Sequence, residues 1–287
     1  MKPEIIDIHP HIISTDTARY PIAPQHGHRS DWSSTRPVTF EQMVEEMDEA
    51  GVAKAAIVHS STTYGHNNAY VADSVAKQPK RFTGVYSFDL LAPDALKTFD
   101  YWLSHGMGGI RLFTGGATHQ NDGRWLVNPA TFPIWERCAE IGMTMVVQTT
   151  QAGLSMVTEL AERFPTVRIA LDHCTRPVLD GGAPYAACAE LFELAKYRNV
   201  YLKITPRTFD LAQAAPGGAQ AFFPHLVQVF GADHLAFGSN YPASGGPLKK
   251  LIDQGHACFT SLSEEERAWV WGRTAQILYP ALADGES

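Results

Sequence analysis

Cysteine is scarce and never paired in sequence: Cys138, Cys174, Cys188 and Cys258 stand far apart, and no CxxC occurs. A disulfide framework needs denser usage, so buried thiols in a reducing cytoplasm are expected. Long apolar runs are missing as well. None approaches the ~18 residues of a spanning helix, and no charged-then-apolar leader opens the chain, so a soluble protein away from membranes is expected. A basic stripe is also lacking. The net charge is −7, with 30 acids against 23 scattered bases, which argues against a nucleic-acid partner. No GxGxxG follows the first apolar run, which weakens the case for a doubly wound, dinucleotide-binding sheet. Internal repeats and low-complexity linkers are absent too.

What is present is alternation. Short apolar runs at 5–9, 53–59, 82–88, 108–113, 143–149, 167–173, 199–204 and 234–240 are rich in Ile, Val, Leu and Phe. Near-continuous apolar character predicts strands buried on both faces, as in a parallel sheet. Helical patterns lie between them. In 40–51, Phe40, Met43, Val44 and Met47 share a face ahead of Gly51, a C-cap residue; 129–142 also ends in glycine, as does the stretch before Gly231; 154–164 stops at Pro165. Eight strands with intervening helices predict an α/β fold, a (β/α)8 TIM barrel in a single domain spanning 1–287, with an open doubly wound sheet as the alternative. Two irregular segments, 14–39 and 114–128, each follow a strand. They therefore belong on the C-terminal face, where barrels keep their chemistry.

Polar residues gather at the predicted strand ends. His9 and His11 are two apart, and strand alternation would aim both at one point in the barrel mouth. His173 ends the sixth strand and Asn240 the eighth, so all four converge if the barrel closes. Arg111 ends the fourth strand, Arg176 lies three residues beyond His173, and Arg207 follows the seventh strand. Guanidinium forks suit carboxylates bidentately, although each arginine could instead pair with a protein acid. Lys203 reads as a paired core ion, with an activated amine as the alternative. Tyr64, His66, His119, Arg124 and Trp125 lie in strand-following loops that could shape a pocket. His26 and His28 repeat the HxH spacing in a glycine-centred loop that fixes no metal geometry.

DxHxH at 7–11, DH at 172–173 and GSNYP at 238–242, in strand order along nearly the whole chain, resemble the amidohydrolase superfamily, in its amidohydrolase 2 branch. Such barrels usually bind one or two divalent metals through the HxH pair, a fifth-strand His and an eighth-strand Asp. This chain departs twice, with Gln148 at the fifth strand and Asn240 at the eighth. It is more similar to the metal-free members: 2-pyrone-4,6-dicarboxylate lactonases, sulfomuconolactone hydrolases and sugar-acid lactonases. The resemblance implies a hydrolase that opens a small carboxylated lactone in the breakdown of aromatic compounds. His9, His11 and His173 would polarise the ring carbonyl, with Asn240 in the place of the Asp that takes a proton from water. Ser61, Tyr64, Arg111, Gln148, Arg176 and Arg207 are the substrate-binding candidates. No metal or other cofactor is expected. The alternative is zinc or manganese on His9 and His11, in a metal-dependent hydrolase or aromatic decarboxylase. A non-catalytic ligand-binding barrel is the third reading, and the sequence is compatible with a homo-oligomer.

An amide has no basic site comparable with a carboxylate, so Asn240 poses the sharpest question. An engineered Asp→Asn exchange would keep shape and hydrogen bonding while disabling turnover, so that substrate stays bound. Natural divergence would hand the water to a histidine or turn the barrel to another use.

Overall fold

The computed structural model describes residues 3–114 and 123–283. His119 and most of the second irregular segment lie outside them. The eight apolar runs become strands β1 Ile5–Asp7, β2 Val52–Val58, β3 Phe82–Tyr86, β4 Met107–Phe113, β5 Thr144–Gln148, β6 Ile169–Leu171, β7 Val200–Ile204 and β8 Leu235–Phe237. Neighbours in the sheet follow chain order from β1 to β8, and every pairing is parallel. The ring closes through single bonds. The Ile8 N–H donates to the Phe237 carbonyl at 3.2 Å, and the Ser239 N–H to Asp7 Oδ1 at 2.8 Å. Gly238 permits this approach, because a Cβ there would stand 2.6 Å from the Cβ of His9. The fold is a (β/α)8 barrel; an open doubly wound sheet orders its strands differently.

Local signals set the helix ends. Phe40–Ala50 starts at a reciprocal cap, Thr39 accepting from the Gln42 N–H while the Gln42 side chain accepts from the Thr39 N–H. Gly51 and Gly142 stop their helices at φ +73° and +70°, a conformation that costs glycine little. Leu154–Arg163 ends just ahead of Pro165.

Alternate strand residues divide between two apolar layers. Ile57, Leu112, Val147, Leu171 and Phe237 face the helices. Ile6, Val58, Val85, Val146, Ala170 and Ala236 fill the barrel, where Leu278, Tyr279 and Leu282 pack beneath them. The Thr144 hydroxyl, at the start of β5, donates to the Leu278 carbonyl. Each such side chain contributes about 1.5–3 kcal/mol by leaving water. The N-terminal end is thus plugged with hydrocarbon, and polar groups collect at the other end. All four cysteines are buried and unpaired. Among the described residues, no helix is long and apolar enough to cross a membrane.

Candidate active site

The barrel mouth has two tiers. In the lower tier Asp172, directly after β6, is fully buried and receives the Arg111 Nε–H at 2.7 Å. Its other oxygen lies 3.3 Å from both Lys203 Nζ and His9 Nδ1. Burial works against the Asp172 charge, but Lys203 and Arg111 outweigh it and hold the carboxyl well below its usual range. Lys203 points inward because its neighbours Leu202 and Ile204 pack outward. Burial pulls its ammonium down to about 8, against the opposing pull of Asp172. Asp7 Oδ1 accepts from the backbone N–H groups of His9 and Ser239, tying β1 to β8. Burial raises its pKa.

The upper tier is a cavity of about 180 Å³. It is lined by His11, Ser61, Arg111, Gln148, His173, Arg176, Arg207 and Asn240, joined by Trp32, Ser60 and Phe113 among others. Most of the sequence-predicted site residues therefore meet at one place. His9 does not line it. The strand ladder ends at Asp7, so alternation no longer governs the HxH pair. His9 turns down to Lys203 and Asp172, while His11 turns to the cavity; their rings meet edge-on with centroids 5.0 Å apart. Tyr64 is absent from the lining as well. Its buried hydroxyl accepts from the Ser14 N–H at 2.7 Å and so pins the loop after β1. His66 and Arg124 are exposed, Trp125 is partly buried, and none of them lines the cavity. His26 and His28 are exposed on and beside the turn Gln25–Gly27.

The tautomer of His11 follows from its partner. Nδ1 lies 2.8 Å from the Val58 carbonyl, which can only accept, so Nδ1 carries the hydrogen and Nε2 keeps a lone pair. Burial, reinforced by Arg111, lowers the His11 pKa to about 3. His173 is likewise lowered to about 3 by burial, against the opposing charge of Asp172. Both rings are neutral near pH 7. Trp32 stacks on His11 at 5.2 Å between centroids. Sequence reading passed over Trp32, although it lies in the irregular segment that follows the first strand.

Four successive residues, His173 to Arg176, have φ between +51° and +55°. Left-handed backbone costs L-residues about 1–2 kcal/mol each, so this turn is held by its surroundings. Cys174 and Thr175 are fully buried, and the Arg176 N–H closes on the His173 carbonyl at 2.9 Å. In a three-residue turn, side chains at i and i+3 eclipse. That is the physical reason His173 and Arg176 face one cavity. Asn240 is also left-handed at φ +51°, which asparagine tolerates; its Nδ2–H donates to Ser244 Oγ at 3.0 Å.

Charge on the walls is one-sided. Arg111 also donates to Gln148 Oε1 at 2.8 Å. Among the described residues, Arg176 and Arg207 have no carboxylate partner within 4.0 Å. Burial lowers the Arg207 pKa, and the charges of Arg176 and Arg111 lower it further. Ser61 shares a hydrogen bond of 2.9 Å with Ser87.

His9, Asp172 and His173 bring possible metal-ligand atoms within 4.8 Å of one another. The charges around them fit a divalent ion poorly. Asp172 is the one carboxylate of this set, and it already faces Arg111 and Lys203. A further cation would be repelled at short range in a buried, weakly screened place.

A strand-end cavity on a (β/α)8 barrel is the place such folds keep a catalytic or binding site. The chain belongs to the amidohydrolase family, which it matches over residues 6–281. It is 26% identical over 171 residues to an L-fucono-1,5-lactonase of Burkholderia ambifaria; the match covers 55% of this chain and 57% of that protein. Among solved structures, a protein of Pseudomonas putida provisionally named a 2-pyrone-4,6-dicarboxylic acid hydrolase superposes with a TM-score of 0.78 at 20% identity, covering 99% of this chain and all of that one. A zinc-bound amidohydrolase of Burkholderia multivorans gives 0.76 at 20% identity, over 96% of this chain and 99% of the other. Likeness at this identity establishes the shared barrel.

Proposed function

We propose that this protein is a hydrolase that opens a small anionic lactone by attack of water on the ring ester, using protein groups alone. The observation that carries the reading is the pair Arg176 and Arg207, without carboxylate partners among the described residues, beside the neutral imidazoles of His11 and His173. A carboxylate on the substrate completes the guanidinium forks with charge-assisted bonds. The cavity volume of about 180 Å³ suits a single small ring. The named activities of the B. ambifaria lactonase and the P. putida protein support the same bond type.

Each imidazole has its own task in this reading. His11 Nε2, the free acceptor of that ring, receives a proton from the attacking water. His173 Nδ1 lies 3.0 Å from the Thr205 hydroxyl. With that hydroxyl donating, His173 presents Nε2–H to the carbonyl oxygen as charge develops on it, and Arg111 and Arg207 add positive potential. An imidazole held at about 3 is a weak base, so turnover with Asn240 is slow. Asn240 stands where a carboxylate base would serve. An Asp there would tolerate the same backbone and accept from the Ser244 hydroxyl, so the site suits an Asp→Asn exchange. The four buried thiols support a cytoplasmic location.

Hydrolysis of carboxylated pyrones, muconolactones and sugar-acid lactones, followed with and without chelator, tests the reading. Asn240→Asp is expected to raise kcat by about 10²–10⁴-fold, with no effect of chelator. A gain abolished by chelator sinks metal independence. No turnover by either chain sinks the lactonase reading and favours a ligand-binding barrel. A second reading, a metal-dependent hydrolase or decarboxylase, draws on the donor atoms of His9, Asp172 and His173. It requires about one tightly held equivalent of zinc or manganese.

A further inference from the structure

We infer that Lys203 is the resident cation of this barrel: its ammonium stands among the donor atoms that a metal ion would claim from His9 and Asp172, and so closes the lower tier to divalent metal. The inference rests on the metal-free reading above and supplies its physical cause.

Three acceptors surround Lys203 Nζ: the Ile8 carbonyl at 3.3 Å, His9 Nδ1 at 3.5 Å and Asp172 Oδ1 at 3.3 Å. An ammonium carries three N–H groups and no lone pair. Peptide oxygen, imidazole nitrogen and carboxylate oxygen are the atom types a cation site collects, and here one ammonium stands within 3.5 Å of all of them. His9 Nδ1 stands between this ammonium and Asp172 Oδ1, which lies nearer at 3.3 Å, so both charged groups hold that ring atom. A divalent ion drawn to these atoms would meet the charge of the ammonium at short range.

The fold holds Lys203 in place. It is fully buried on β7, and in the register of the sheet it lies opposite Ala236 of β8, whose small side chain leaves room beside it. Lys203 is not among the residues lining the upper cavity. It acts through others, as a positioning residue. The His9 ring it anchors lies 5.0 Å from the ring of His11 and 4.9 Å from that of His173. The lower tier thereby sets the height and tilt of both cavity imidazoles.

The test counts zinc bound by the full chain after incubation with zinc chloride and dialysis, with circular dichroism to confirm folding. The parent is expected to retain less than about 0.1 equivalent, and Lys203→Gln and Lys203→Met about one equivalent each, with a raised Tm in zinc. Lys203→Gln combined with His173→Asn is expected to lose that zinc, and Lys203→Arg, which keeps the charge, to exclude it as the parent does. Folded neutral variants that take up no zinc overturn the inference and leave the lactonase reading standing. Zinc that persists without His173 overturns it too, since the ion is then elsewhere. A parent that holds one equivalent overturns both the inference and metal independence. One equivalent on Lys203→Arg overturns the inference even where the neutral variants do not fold.

Discussion

Arg111 and Arg207 both line the cavity, yet their surroundings are opposite. Arg111 gives Nε–H to Asp172 and another N–H to Gln148, and it is buried. Arg207, with Arg176 beside it, has no carboxylate partner among the described residues and lies closer to solvent. The lower tier is a set of charges that answer one another: Arg111, Asp172, Lys203 and His9. The upper tier is a cationic wall without a counter-charge among the described residues. Buried charges without partners are costly, so the lower tier belongs to the fold. Wall charges near solvent cost less, so the upper tier can wait for a ligand.

Four substitutions or titrations sharpen or break that contrast. Asp172→Asn leaves Arg111 and Lys203 facing each other without their anion. It is expected to cost about 3–5 kcal/mol of stability, read as a fall in Tm, whereas Arg176→Ala should leave Tm almost unchanged. Equal falls would erase the distinction between the tiers. The next effect concerns binding. In the Asn240→Asp background, Arg176→Ala and Arg207→Ala are each expected to raise KM for a carboxylated lactone about 10–100-fold, the worth of a charge-assisted bond. An unchanged KM for both would remove the wall from substrate recognition.

Protonation gives a smaller, graded effect. His11 and His173 titrate near 3 in the fold, against 6.5 for a free imidazole. Between those values the unfolded chain binds more protons than the folded one, so stability rises with pH there. Acidification from about 6.5 towards 3 should lower Tm, with a shallower slope in His173→Asn; an identical slope would mean the His173 ring does not resist protonation. The least effect is expected from Thr205→Val, which removes the hydroxyl at His173 Nδ1. A loss of about 1 kcal/mol at that bond predicts a kcat roughly fivefold lower with KM unchanged. A change confined to KM would place His173 in substrate binding instead.

Periodicity made the strands legible, because a sheet buried on both faces needs apolar residues almost without a break. The roles of His9 and His11 were not. Alternation assigned them one target, but the ladder stops at Asp7 and the two rings part. Tyr64 had the chemistry of a pocket residue, and its hydroxyl serves the Ser14 N–H instead. The three-residue spacing of His173 and Arg176 was visible as a pattern. Its geometric cause, a left-handed turn of four non-glycine residues, was not, since local preference disfavours that turn and only packing enforces it. Asp172 looked like half of a strand-end doublet, and its central place among the buried charges depends on Arg111 of β4 and Lys203 of β7 both reaching it inside the ring.

The order of strands and helices, the polar strand ends and the presence of Asn240 and Gln148 among them were settled by the sequence itself. They depend on residue identity and spacing, which the chain states directly. The closed ring alone decided which residues share a neighbourhood. It set Lys203 against His9 and Asp172, across 194 residues of chain in the first case, and it left Arg176 and Arg207 together at the mouth. Electrostatic energy depends on distance and burial, and neither exists until the barrel has closed.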